Sequence, residues 1–178
     1  MQIHLVLTVI GRDRPGLVSA VSQTIAEGGG NWLDTRMARL SGQFAGMLLV
    51  AIAPEKADAL VASLRRMEAQ GLRFVIERSD GPTPIAGRTL RLELVGLDRP
   101  GIIREISQVL AAHDVSIVEL ESERVSGSFS GENMFKAKAT LTLPDDLDVE
   151  DLRESLEALA NELMVDLLFD NKPALLAC

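Results

Sequence analysis

The pattern G-x-D-R-P-G occurs twice, at residues 11–16 within VIGRDRPGLVSAV and at residues 96–101 within LVGLDRPGIIREI. Each copy sets a carboxylate, a guanidinium and two glycines inside six residues. Such a set could serve a doubled catalytic motif, a doubled phosphate loop, or one small fold used twice to present a binding surface. A Walker-type loop requires G-x-x-x-x-G-K-[ST]. Gly11 and Gly16 have that glycine spacing, but Leu17 stands where the lysine belongs, and Ile102 stands there in the second copy. Neither copy carries the G-x-G-x-x-G of a dinucleotide fold.

Nucleophilic and acid–base chemistry find no better support. The two histidines, His4 and His113, fall at non-equivalent places in the two copies. His4 is expected on a strand and His113 at a helix end, where a positive partial charge suits the macrodipole. Cys178 has no basic cluster or helix terminus nearby to activate it. One cysteine excludes both a disulfide framework within the chain and a cysteine cluster for zinc. The acidic pairs Asp145-Asp146 and Asp148-Asp151 surround a predicted helix start, where carboxylates cap N–H groups. No catalytic residue, metal or cofactor is expected, and the chain reads as a non-enzyme.

What remains is backbone. Asp13-Arg14-Pro15-Gly16 lies where a strand gives way to a helix, so N–H groups at Gly16 and Leu17 should point outward. A helix N-terminus offers about half a positive charge and unpaired donors, which suits a carboxylate. Glycine at 16 keeps a side chain from standing between ligand and backbone. Asp98, Arg99, Pro100, Gly101 and Ile102 form the second such corner. The plainer alternative is that D-R-P-G is simply a good helix start.

The elements that position these corners repeat with them at an offset of 85 residues. VSQTIA matches ISQVLA, and Arg39, Ser41, Gly42 and Phe44 fall on Arg124, Ser126, Gly127 and Phe129. Pro54 corresponds to Pro144 at offset 90, so the second copy gains five residues around FSGENMF. Hydrophobic periodicity predicts strands over 3–10, 31–40, 43–53 and 72–78 in the first copy. Helices are predicted over 15–27, with Pro15 in the first turn and GGG as terminator, and from Pro54 onward. The second copy predicts strands 89–96, 115–125, 133–143 and 163–169 and helices 100–112 and 147–162. The order β-α-β-β-α-β in each copy predicts an α+β protein of two ferredoxin-like units, each an antiparallel four-stranded sheet with helices on one face. Units are expected at 1–80 and 88–172, with a Pro/Gly-containing linker at 81–87 and a patternless tail at 173–178. The longer hairpin at 128–133 reads as a surface insertion or a contact arm.

Composition narrows the function. The chain has 178 residues, 47% hydrophobic and 25% charged, ample for packed cores. Residues 1–87 hold nine basic and eight acidic side chains and residues 88–178 hold nine and eighteen, so the net −8 belongs to the second half. Without a basic stripe, an acidic protein is repelled by phosphate backbones, and direct nucleic-acid binding is not expected. The N-terminus lacks a signal-peptide pattern, and no run reaches the ~18 apolar residues of a membrane span, so a cytoplasmic protein is expected.

With D-R-P-G-[LI] after a strand, then a helix, a glycine-containing loop and a strand beginning near Asn31, both halves resemble the ACT domain family. The resemblance implies a small-molecule sensor for an amino acid such as glycine, acting by protein contact, with homo-oligomers formed by sheets paired edge to edge or helices packed face to face. For stand-alone tandem members it implies regulation through a partner transcription factor instead of direct DNA reading. It also places Asn31 with the first loop and Ser116, the corresponding residue, with the second. A hydroxyl reproduces an amide's two-ended hydrogen bonding less fully, so the first loop is expected to be the better site. Two alternatives stay open: a ligand-free oligomerisation module, and a regulatory subunit of an amino-acid or one-carbon enzyme.

Overall fold

The computed structural model describes residues 2–81, 87–126 and 132–170. The chain divides into two compact units, residues 1–84 and 85–178. Most of the expected linker, the expected tail with Cys178, and the tip of the 128–133 hairpin lie outside the described residues.

In the first unit the order is β1 (Ile3–Arg12), α1 (Leu17–Glu27), β2 (Asn31–Leu40), β3 (Gln43–Ile52), α2 (Pro54–Arg66), a 3-10 turn (Met67–Gln70) and β4 (Leu72–Ser79). The second unit repeats it as β5 (Arg88–Leu97), α3 (Ile102–Ala112), β6 (Ser116–Ser126), β7 (Asn133–Leu143), α4 (Val149–Leu163) and β8 (Val165–Asp170). The sheets are ordered β2-β3-β1-β4 and β6-β7-β5-β8, with every neighbour pair antiparallel. This is the ferredoxin-like arrangement that the repeat predicts.

Alternation along β1 sends Leu5, Leu7 and Val9 to one face, where α1 meets them with Leu17, Val21 and Ile25 and α2 with Leu60 and Leu64. In the second unit Leu90, Leu92 and Leu94 meet Ile102, Ile106 and Leu110 of α3 and Leu152 and Leu156 of α4. The apolar spacing on each helix is thus matched to a strand with period two, so one face of each sheet is closed. Among the described residues no helix is long and apolar enough to cross a membrane.

Three sequence expectations are adjusted. Helix α1 starts at Leu17, so Pro15 stands before the helix instead of in its first turn; the residue between, Gly16, has φ 86° and cannot be helical. Pro100 and Gly101 (φ 101°) repeat this at α3. The sheet register pairs Phe44 with Gly11 and Phe135 with Gly96, so Phe135 takes the structural place of Phe44. Ile3 pairs with Ile52 and Arg88 with Leu143, giving an offset of 91 in the strand, one more than the prolines suggest. The GGG terminator works through Gly29 at φ 77°, with Gly29 and Gly30 N–H returning to Ala26 and Ile25 carbonyls. In the second copy Asp114 takes the same left-handed position at φ 54°.

The first glycine of each hexapeptide is a packing residue. Gly11 and Gly96 face the core, and a Cβ on Gly96 would lie 2.8 Å from Val165 Cβ and 3.0 Å from its Cα. Gly96→Ala should therefore lower stability by about 1–3 kcal/mol through overpacking, read from urea denaturation. An unchanged midpoint would show that β8 can draw back without cost.

Candidate functional site: two strand-to-helix corners

Each D-R-P-G segment turns the chain from a central strand onto the helical face. The Asp13 N–H donates to the Gly42 carbonyl at 2.9 Å, and its carboxylate pairs with Arg39 at 3.2 Å. The second corner is built alike: the Asp98 N–H donates to the Asn133 carbonyl at 2.9 Å, and Asp98 pairs with Arg124 at 3.6 Å. The aspartate is therefore a clamp that ties the corner to the neighbouring hairpin. Arg39 and Arg124 carry the other half of it. They coincide in the repeat, but only the folded hairpin reveals what they hold.

The arginines diverge. Arg14 donates to the Gln70 carbonyl at 3.4 Å and to its side-chain oxygen at 3.3 Å, reaching the turn that leads into β4. Arg99 instead pairs with Glu105 on α3 at 2.9 Å, and Arg104 meets the same carboxylate at 3.2 Å. Both side chains are committed within the unit and neither acts as a free cation over its loop.

The helix starts offer donors. No side chain caps α1 or α3, and the first backbone bonds run from Ala20 N–H to Gly16 and from Glu105 N–H to Gly101. The N–H groups before them lie in the turn that a helix leaves unpaired. A Cβ on Gly16 would meet nothing within 4 Å, so the approach to the first corner is open. At Gly101 the Glu105 carboxylate comes within 3.2 Å of the same point. Leu17 and Ile102 are buried, so only their backbones can serve a ligand. Pro15 and Pro100 contribute shape alone.

Asn31 and Ser116 are not beside these corners in their own units. Asn31 pairs with Ala51, which pairs with His4, so the amide is level with the start of β1 while Asp13 follows its end. Ser116 pairs with Thr142, level with Thr89 at the start of β5. Each strand start and its own corner occupy opposite ends of the sheet.

The other singled-out groups have local roles. Asp148 caps α4, accepting from the Glu150 N–H at 2.9 Å. His113 ends α3 and its Nε2 lies 3.1 Å from Ser155 Oγ on α4. Among the described residues no group of three or more His, Cys, Asp or Glu side chains could hold a metal ion.

Comparison with known proteins agrees with the fold. The ACT domain family is matched twice, over residues 3–77 and 90–161. The glycine cleavage system transcriptional repressor of Escherichia coli (strain K12) is 25% identical over 164 residues, 91% of this chain and 86% of its own. A UPF0237 protein of Methanocaldococcus jannaschii is 33% identical over 80 residues, 43% of this chain and 89% of its own. Among solved structures, an unknown protein from Galdieria sulphuraria superimposes with a TM-score of 0.81 at 28% identity, covering 96% of this chain and 98% of that one.

The clamp can be weighed directly. Arg39 is 72% exposed and Asp13 30%, so a double-mutant cycle with Asp13→Asn and Arg39→Ala should return a coupling of about 0.2–1 kcal/mol. A coupling of zero would mean that the backbone bond to Gly42 alone holds the corner.

Proposed function

The chain belongs to the ACT domain family, and on that premise we infer that it is an amino-acid-sensing regulator that passes its signal by altered protein association, as a glycine cleavage system repressor-like protein would. The observation that carries the reading is the first corner: an uncapped helix start behind Gly16, with open space where a side chain would stand. A ligand carboxylate placed there accepts from backbone N–H groups and meets the positive end of α1. The ligand class is a small amino acid, glycine or one like it, since the corner supplies backbone contacts and no shaped side-chain pocket.

Asn31 stands at the far end of its own sheet from Asp13. An amide contribution therefore requires association, in which Asn31 of one copy of the chain is brought to the first-unit corner of another copy. Binding at such a contact couples ligand to association: the ligand favours the paired arrangement by its differential affinity for it. The second corner is the weaker site in this reading, because Glu105 places a carboxylate where a ligand's would go, whereas Ala20 holds the corresponding position in the first. The acidic second half argues for a protein partner, such as a transcription factor, in place of nucleic acid.

A thermal-shift screen of the twenty amino acids at millimolar concentration should find at least one that raises Tm. Titration calorimetry with that amino acid should then show binding lost in Gly16→Val and retained in Gly101→Val, with circular dichroism confirming that both variants fold. No shift with any amino acid would leave a ligand-free association module as the better account. Equal losses in the two variants would remove the asymmetry between the corners.

A further inference from the structure

The two sheets offer an internal comparison on the faces that the helices leave open. In the second unit that face is mainly charged: Arg91, Glu93, Lys136 and Lys138 occupy it, with Glu93 and Lys138 paired at 3.0 Å, and Val95 and the 64% exposed Leu168 are the apolar residues among them. In the first unit the corresponding positions hold Val6, Thr8, Ala45 and Met47, with Ile10, Leu49 and Val75 beside them. Met47 is 55% exposed and Val75 60% exposed. A solvated sheet face normally alternates to polar residues, as the second unit does. The same fold thus carries a water-compatible face once and an apolar one once, and a contiguous apolar patch on a soluble domain marks a contact surface.

We propose that the open sheet face of the first unit is an isologous interface that takes a second copy of this chain, face to face. The arrangement of charge on the face selects that occupant. Cross-strand pairing sets out three rows: Val75–Thr8–Met47–Arg36 in the middle, Glu77–Val6–Leu49–Asp34 on one side, and Arg73–Ile10–Ala45–Ala38 on the other. A two-fold axis lying across the strands along the middle row brings each outer row onto the partner copy's other outer row. Val6 then meets Ile10 and Leu49 meets Ala45. At the rim, Glu77 of one copy meets Arg73 of the other, and the reverse, each about 7 Å from the axis at the rise of two strand residues. In the two central strands apolar residues cover apolar residues, Asp34 at the β2 edge lies over Ala38, and the two charges at the β4 edge are complementary to the same face of a second copy turned over. Arg36 lies on the axis opposite its counterpart, each neutralised by Asp34 at 3.0 Å.

The size suits a dimer. Four strands up to ten residues long give a face of about 19 Å by 34 Å, roughly 650 Å² in projection. A standard interface buries about 800 Å² per partner, and two sheets stacked in this way keep their strands within about 30° of each other. The interface is separate from the corners and does not depend on ligand binding.

The test is sedimentation equilibrium on the full chain. The wild-type protein should be dimeric at micromolar concentration. Met47→Lys, which copies Lys138 of the second unit, and Val75→Lys should each raise the dissociation constant by at least about tenfold, since both would bury an unpaired charge. Arg73→Glu and Glu77→Arg should each weaken association by about threefold or more, and the double variant should recover it, because each swapped charge meets its swapped partner. A monomer throughout the range, a dimer indifferent to Met47→Lys, or a double variant no better than the singles would each overturn the proposal. The rim variants change only exposed residues, so they keep the test decisive if a lysine variant fails to fold.

Discussion

Everything in each unit depends on one constraint: β1 and β5 run down the middle of their sheets, hydrogen-bonded on both sides. A central strand cannot drift off an edge when it ends. Its chain must rise at once onto the helical face while neighbouring strands stay close. The hexapeptide answers this residue by residue. Gly11 and Gly96 let β4 and β8 approach, with Leu72 and Val165 at the positions a Cβ would invade. Asp13 and Asp98 fasten the departing chain to the adjacent hairpin through a backbone bond and an ion pair. Gly16 and Gly101 then take a left-handed conformation that costs other residues about 1–2 kcal/mol, after which the helix begins.

The consequence for function is that the side chains most suggestive of chemistry are occupied in building the corner. The aspartates clamp and the arginines reach other parts of their own unit. What the motif exposes is backbone: N–H groups at the start of a helix, behind a residue with no side chain. A helix start of this kind suits an anion through its unpaired donors and the helix dipole.

Duplication separates what the fold requires from what it merely permits. The cores, the sheet order and the aspartate clamps are the same in both units. The differences lie where the fold makes no demand: Ala20 against Glu105 beside the corner, and Met47 against Lys138 on the open face. The fold leaves these positions free, and the two units fill them with different side chains.

The sequence by itself determined the element order, the doubling and the core, because strand and helix periodicities and turn glycines are local signals that each copy repeats. It also located both corners, since both copies of G-x-D-R-P-G stand where a strand pattern gives way to a helix pattern. It did not reveal the partners of those residues. Arg39 lies 26 residues from Asp13 and Gln70 lies 56 from Arg14, and contacts at that range arise only when the sheet closes. Placing Pro15 outside the helix required the backbone angle of Gly16. The separation of Asn31 from Asp13 was equally a tertiary matter. β1 and β2 run in the same direction with α1 returning between them, so residues 18 apart in the chain stand at opposite ends of the sheet.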